Sequence, residues 1–236
     1  MIGLVLVAGK GVRLGFNNKN KCMLEIDNKP LIEYSLDRLS EITDKIIIVV
    51  GYKGKEIQCK YGIEYSGIPL YYIVQPEEKK GIIGAIDSAR DELTDNFYLA
   101  LGDEILINSR HREMVYYFTK SNLFGLCGII YEDNSRSIRK TYSVEIGTEG
   151  IYRLIEKPKI VLNSIKGTGN CVFKKEILSY LDKLPVNNER KESDFVSLVQ
   201  AAINDRKRIE IFSICDKYFN INTKEDLLEI KGYFNI

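Results

Sequence analysis

Apolar residues fall first in short continuous runs and then in helical stripes, alternating through the first half of the chain. "LVLV" (4–7), β-branched at Val5 and Val7, reads as a buried strand, and "KIIIVVGY" (45–52) as a central parallel strand closed by glycine. "LYYIV" (70–74), "FYLALGD" (97–103) and "LFGLCGIIY" (123–131) add three more strands. Between them, Leu31, Ser35, Leu36 and Leu39 make a helical stripe behind Pro30, a residue suited to a first helical turn. "IGAIDSARDEL" (83–93) and "SRHREMVYYFTKS" (109–121) read as further helices. This strand–helix–strand succession predicts an α/β fold of three layers, Rossmann-like, with a mostly parallel sheet covered by helices on both faces.

The second half is less regular. "TYSVEI" (141–146), "IYRLIEK" (151–157) and "GTGNCVF" (167–173) predict strands of a small, partly antiparallel insertion. Helices are expected near 175–183 and 193–204, then the strand "RIEIFSI" (208–214), then a last helix after "NINT" (220–223). No linker, repeat or low-complexity segment interrupts the 236 residues, so a single domain over 1–236 is expected, its two halves meeting near residue 135.

In such sheets ligands bind beyond the carboxyl ends of the strands. The loop after the first strand, Gln75 and Asp103 all fall there. In "AGKGVRLG" (8–15), Gly9 and Gly11 allow a tight turn that brings N–H groups toward an anion. A dinucleotide fingerprint would need glycine where this chain has Leu14, and the G-K-[ST] ending of a Walker loop is missing. Lys10 and Arg13 lie in the loop and Lys21 follows. That many cations suit a triphosphate better than a diphosphate bridge, with Arg13 offering a bidentate fork.

Charge and cysteine content narrow the classes. With 34 basic and 33 acidic residues, nothing pulls the whole chain toward nucleic acid or a membrane, so anion binding must be local. Cys22, Cys59, Cys127, Cys171 and Cys215 are scattered and odd in number, which reads as buried thiols in a reducing compartment. No apolar run approaches a membrane span, and the N-terminus enters a strand without a cleavable leader, so a cytoplasmic protein is expected. Assembly into a homo-oligomer is left open. The lone His111, in a polar helix, reads as structural.

"LVLVAGKGVRL", followed by Lys21 in "KCMLEIDNKPLIEY", resembles the G-x-G-x-R … K … G-K-P-L-I signature of nucleotidyltransferases that make nucleotide-sugars. "VQPEEKKGIIGAIDSA" resembles that family's base-binding segment, and "LGD" its metal-binding aspartate at a strand end. "LIEKPK" followed by "NSIKGTGNCVF" resembles the segment and glycine strand that hold the sugar phosphate. The four blocks stand in the family's order over nearly the whole chain. The resemblance implies a nucleotide-binding half to about residue 135 and an acceptor-binding half beyond it. It assigns Leu6, Ala8, Gly9, Lys10, Gly11, Arg13, Gln75, Gly81 and Gly102 to the nucleotide. Glu156, Lys157, Asn163, Thr168 and Gly169 go to the acceptor, and Arg13, Lys21, Asp103 and Lys157 to catalysis.

Mg²⁺ is the implied cofactor, held by Asp103. Mg²⁺ needs only one or two carboxylates beside phosphate oxygens. Where the family commonly has a second acid, this chain offers Asn220 and Asn222. Both stretches have plainer readings. An aspartate after a strand is often a helix cap, but Asn108 and Ser109 are better placed for that than Asp103, and "NINT" suits a strand end and helix cap. No nucleophile–base pair is suggested and none is needed, since a phosphate monoester with a second pKa of about 6 is already ionised at neutral pH. The implied reaction is in-line attack of a sugar or polyol phosphate on the α-phosphorus of a nucleoside triphosphate, releasing pyrophosphate. "RLG" and "KCMLEIDNKPLIEY" are closest to cytidylyltransferase patterns, favouring CTP over dTTP or UTP. Ile82, where the family often has threonine, adds no hydrogen bond to the choice. A dinucleotide oxidoreductase and a non-catalytic nucleotide-binding module are the alternative classes. The first leaves "EKPK" unexplained; the second is kept open by the missing second aspartate.

Overall fold

A computed structural model describes residues 1–15, 19–148, 150–185 and 194–236. In chain order the first half contains β1 (Ile2–Val7), a two-stranded hairpin of β2 (Glu25–Ile26) and β3 (Lys29–Pro30), α1 (Leu31–Ser40), β4 (Lys45–Val50) and α2 (Gly54–Tyr61). There follow β5 (Glu64–Tyr65), β6 (Ile68–Val74), α3 (Gly81–Ser88), β7 (Phe97–Leu101), β8 (Glu104–Ile107), α4 (His111–Ser121) and β9 (Gly125–Tyr131). The second half adds α5 (Ser135–Ile138), the hairpin β10 (Tyr142–Gly147) and β11 (Gly150–Glu156), β12 (Ile165–Phe173), α6 (Phe195–Asn204), β13 (Ile209–Ser213), β14 (Lys217–Asn220) and α7 (Lys224–Phe234).

Eight strands form one sheet in the order β13-β9-β12-β7-β1-β4-β6-β5. The apolar runs occupy its centre: β1 pairs in parallel with β4 and β7, and β4 with β6. All six residues of β1 are buried because both faces are covered. Alternation sorts them: Leu4 and Leu6 join a core with α3, α6 and the β10–β11 hairpin, whereas Val5 and Val7 face α1, α2 and α4. β12 runs antiparallel to both β7 and β9, and its pairing with β9 slips between Gly167 and Cys171. A third cluster, including Leu14, Ile26, Leu31, Ile105, Phe219 and Ile230, seats α7 against the first loop and hairpin. The α/β layering and the partly antiparallel insertion are as the sequence predicts.

Several elements differ from the expectations. "FYLALGD" is not one strand: β7 stops at Leu101, and β8 leaves the sheet to pair with β14. The helix expected at 109 starts at His111 with Arg110 at its cap and no side-chain cap bond. Asn108 adopts a left-handed φ of 52° and donates to Asp216 instead. Residues 175–183 wind as a 3₁₀ helix, and the helix expected from residue 193, which lies outside the described residues, is seen from Phe195. Cys59 is exposed, unlike the other four free thiols, because it lies on the outer side of α2. His111 is buried between Glu41 Oε2 at 2.7 Å and Ser109, a structural placement.

Candidate active site

The carboxyl ends of β1, β4, β6 and β7 open into a cleft of about 1700 Å³. It exceeds the roughly 300–1000 Å³ that one small ligand needs. The first loop contributes Leu6, Ala8, Gly9, Lys10 and Arg13 to its wall, and Lys21 closes the floor. Gly9 has no left-handed φ, and a Cβ there would meet nothing within 4 Å. Its value is open space for a ligand rather than a turn. Gly11 makes the turn, at φ 61°, and a Cβ would lie 2.9 Å from that of Lys21. Glycine here lets the lysine stem pass. Asn20 then aims Lys21 inward: it donates to the carbonyls of Val7 and Tyr52 at 3.0 and 2.7 Å and caps the short turn at Cys22 N.

The polar centre is a line of contacts. The Lys21 ammonium sits on Asp103 and also donates to Asn222 Oδ1 at 3.1 Å. Arg13 Nη2 reaches that same oxygen at 3.2 Å, while Asn222 Nδ2 donates to Asn220. Burial alone would lower Lys21, but the touching Asp103 carboxylate holds it above the ordinary lysine value. The two asparagines therefore lie beside Asp103 as expected, yet both amide oxygens already accept hydrogen bonds. Asp103, at the end of β7 with 15% of its side chain exposed, is the hard oxygen ligand left for a divalent ion. Among the described residues no group of three or more His, Cys, Asp or Glu is arranged to hold a metal. Phosphate oxygens must complete any such site.

On the nucleotide side, Gln75 follows β6. Its Nε2 donates to the carbonyls of Lys79 (2.5 Å) and Gly81 (3.0 Å), so only Oε1 is left to face a base. The expected donor-and-acceptor reading reduces to an acceptor alone. Gly81 opens α3 and Gly84 packs against the Lys79 backbone, where a Cβ would lie 2.5 Å from its carbonyl carbon. On the acceptor side, Glu156, Lys157, Thr168 and Gly169 line the cleft. Lys157 holds φ at 45° and ion-pairs with Glu156 at 3.3 Å. A non-glycine residue in that region costs about 1–3 kcal/mol, and such strain clusters at functional sites.

Three predicted site residues do not line the cleft. Gly102 is buried, its N–H bound to Leu6 O at 3.0 Å, and a Cβ would lie 2.3 Å from Val7 Cγ1. It packs tightly under the cleft wall, and its N–H is already taken. Gly11 acts through its turn, as described. Asn163 staples its own loop: it donates to Val144 O at 2.8 Å and accepts from Ser143 Oγ and Ile165 N. Both polar atoms of its side chain are engaged in this staple.

Glu104 was not signalled by spacing. It is fully buried and accepts from Gly169 N at 3.0 Å, Asn170 Nδ2 at 2.8 Å and the Tyr218 hydroxyl. One carboxylate thus ties β8 to β14 and to the slipped stretch of β12. Burial, then the charge of Asp103, push it up to about 8 against those hydrogen bonds. The available signal was a second acid directly after Asp103 inside an apolar strand, "LGDEILI".

A loop of cations and a strand-end aspartate face a glycine strand across one cleft. The chain belongs to the nucleotidyl transferase family, whose model matches residues 2–231. It is 29% identical to the UTP–glucose-1-phosphate uridylyltransferase AglF of Haloferax volcanii, over 96% of this chain and 93% of that protein. It is 28% identical to the bifunctional protein GlmU of Methanococcus maripaludis over its whole length, which spans about half (51%) of that relative. Among solved structures, UDP-glucose pyrophosphorylase complexed with UDP-glucose superposes with a TM-score of 0.87 at 19% identity, covering 99% of this chain and 98% of that one. The inositol-1-phosphate CTP transferase of T. maritima gives 0.78 at 16%, covering 98% and 94%. These two likenesses establish the fold. No helix among the described residues is long and apolar enough to cross a membrane.

Proposed function

We propose that the protein transfers a nucleotidyl group from a pyrimidine nucleoside triphosphate, CTP first, to a sugar or polyol phosphate, releasing pyrophosphate. The observation that carries this reading is the Arg13–Asn222–Lys21–Asp103 line, two cations and a carboxylate converging on one cleft wall. The AglF relative, a UTP–glucose-1-phosphate uridylyltransferase, supports the sugar-phosphate acceptor. Arg13 and Lys21 meet triphosphate oxygens and stabilise the charge that develops at the α-phosphorus. Lys157 grips the acceptor phosphate and Glu156 a hydroxyl. Asp103 with the phosphates would hold Mg²⁺, which would supply further charge neutralisation. The acceptor attacks as an anion, so the chain is asked only to position it and to exclude water.

Base choice rests on Gln75. With its nitrogen engaged by two carbonyls, its Oε1 requires a donor on the base, which the cytosine amine provides. Uracil and thymine offer a ring N–H to the same oxygen and come next. Pyrophosphate release measured with all four ribonucleoside triphosphates and dTTP, against a panel of sugar and polyol phosphates, tests the proposal. A kcat/KM for UTP or dTTP about tenfold above CTP, a 1.4 kcal/mol preference, would overturn the cytidylyl assignment. No release with any pair would overturn the transferase reading and favour a nucleotide-binding module.

A further inference from the structure

Two lysines are buried in the walls of the cleft, and they are treated differently. Lys21 touches a carboxylate. Lys166, on β12, is 6% exposed, and among the described residues its Nζ makes one hydrogen bond, to Ser137 Oγ at 2.6 Å. The carboxylate of Glu132 stands 4.0 Å away, beyond hydrogen-bond reach. The ring of Tyr218 covers another side, 4.9 Å to its centroid. An ammonium has three protons to donate, and Glu132 pairs with this one only at the outer limit of an ion pair, without a hydrogen bond, so two of its protons have no acceptor among the described residues. The contrast shows in their basicity. Lys21 is raised, whereas burial pulls Lys166 below the ordinary lysine value, with Glu132 and Glu229 opposing and Lys140 adding to the fall.

Its place in the cleft is fixed by the same line of contacts. From Arg13 the line runs through Asn222 and Asn220 to the Tyr218 hydroxyl, which Asn220 Nδ2 meets at 3.2 Å, and Lys166 lies on that ring. Lys166 therefore lies beyond Tyr218 on that line, next to Gly167 and Thr168 in the cleft wall. Neither the attacking phosphate, assigned to Lys157, nor the triphosphate accounts for it.

We propose that Lys166 and Ser137 form a second anion subsite, and that the acceptor is a sugar phosphate bearing a carboxylate, of the uronic-acid type. This rests on the transferase reading above. A carboxylate offers one oxygen to the ammonium and one to the Ser137 hydroxyl, which rotates from acceptor to donor. A second phosphate is disfavoured, because one cation with Glu132 and Glu229 in its field neutralises a single charge and repels a second.

The test is calorimetric binding of glucuronic acid 1-phosphate and glucose 1-phosphate, in Mg²⁺ and a CTP analogue blocked at the α–β bridge. Wild type is expected to bind the carboxylate probe about tenfold more tightly or better, the scale of one charge-assisted hydrogen bond. In Lys166→Met the two probes should become equal, with glucose 1-phosphate affinity unchanged, and Lys166→Gln should behave likewise. Equal binding in wild type, a preference that survives both variants, or no binding of either probe overturns the subsite. Pyrophosphate release is read separately: a carboxylate preference without turnover on any nucleotide would leave the subsite standing and defeat the transferase reading.

Discussion

Replacing Glu104 with Gln should make the protein's stability less sensitive to pH. Glu104 is fully buried, and its carboxyl is pushed up to about 8 from an ordinary 4.5. Between those values the native state holds a proton that the unfolded chain has released. Stability from this group is therefore fully present below the unfolded value and is lost as pH rises toward the folded one. The slope is about 1.4 kcal/mol per pH unit, so from about pH 5.5 to about pH 7.5 the wild type should lose roughly 2–3 kcal/mol. For a chain of this size that corresponds to roughly 5–10 °C in Tm. Glutamine mimics the protonated acid, and the Tyr218 hydroxyl can accept from its amide, so Glu104→Gln should match wild type near pH 5 and exceed it near pH 8. The assay is urea unfolding of both proteins across this range in EDTA without nucleotide, taking their difference so that other titrating groups cancel. Parallel stability curves would refute the reasoning, since they would mean that the buried carboxylate carries no uncompensated charge.

Further outcomes follow from the cleft. Arg13→Ala should lower kcat/KM by about 10² or more in the pyrophosphate assay, as expected for a lost contact to transition-state charge, while circular dichroism is unchanged. Asp103→Asn should abolish Mg²⁺-dependent turnover and also cost about 1–3 kcal/mol, because it leaves Lys21 buried with only Asn222. Adding Lys21→Met should restore the urea midpoint but not turnover. Gly102→Ala should destabilise by about 1–3 kcal/mol through overpacking against Val7, with KM for nucleotide unchanged if the protein is kept folded; a selective rise in KM would return Gly102 to the nucleotide site.

The central strands were legible because a strand buried on both faces must be apolar throughout, as in "KIIIVV". α2 was not: "GKEIQCKY" buries only Gly54, Ile57 and Tyr61, too narrow a stripe to stand out. β8 and β14 were hidden for another reason. Their partners are more than a hundred residues apart, and no local period announces a two-stranded ladder that leaves the main sheet. In the cleft, Asp103 was readable as an acid at a strand end, and Arg13 and Lys21 as cations in and after the first loop. Glu104 and Lys166 were not, since a charge within a strand pattern ordinarily marks a solvent face and only packing shows that it points inward. Gly102 and Asn163 misled in the opposite sense: residue types suited to ligands were used for close packing and for a loop staple.

The hydrogen bond from Arg13 to Asn222 joins residues 209 positions apart. It has a consequence for how the protein comes into being. During synthesis β1, β4, β6 and β7 can assemble while most of the second half is still to be made, so one wall of the cleft can form before β12, β14 and α7 supply the other. The loop after β1 gains its asparagine partner only when β14 has paired with β8 and α7 has closed over Leu14 and Ile26. Contacts this remote in sequence form late, because the intervening chain must be ordered first. The cleft of a nascent chain should therefore be open and cationic but incompetent.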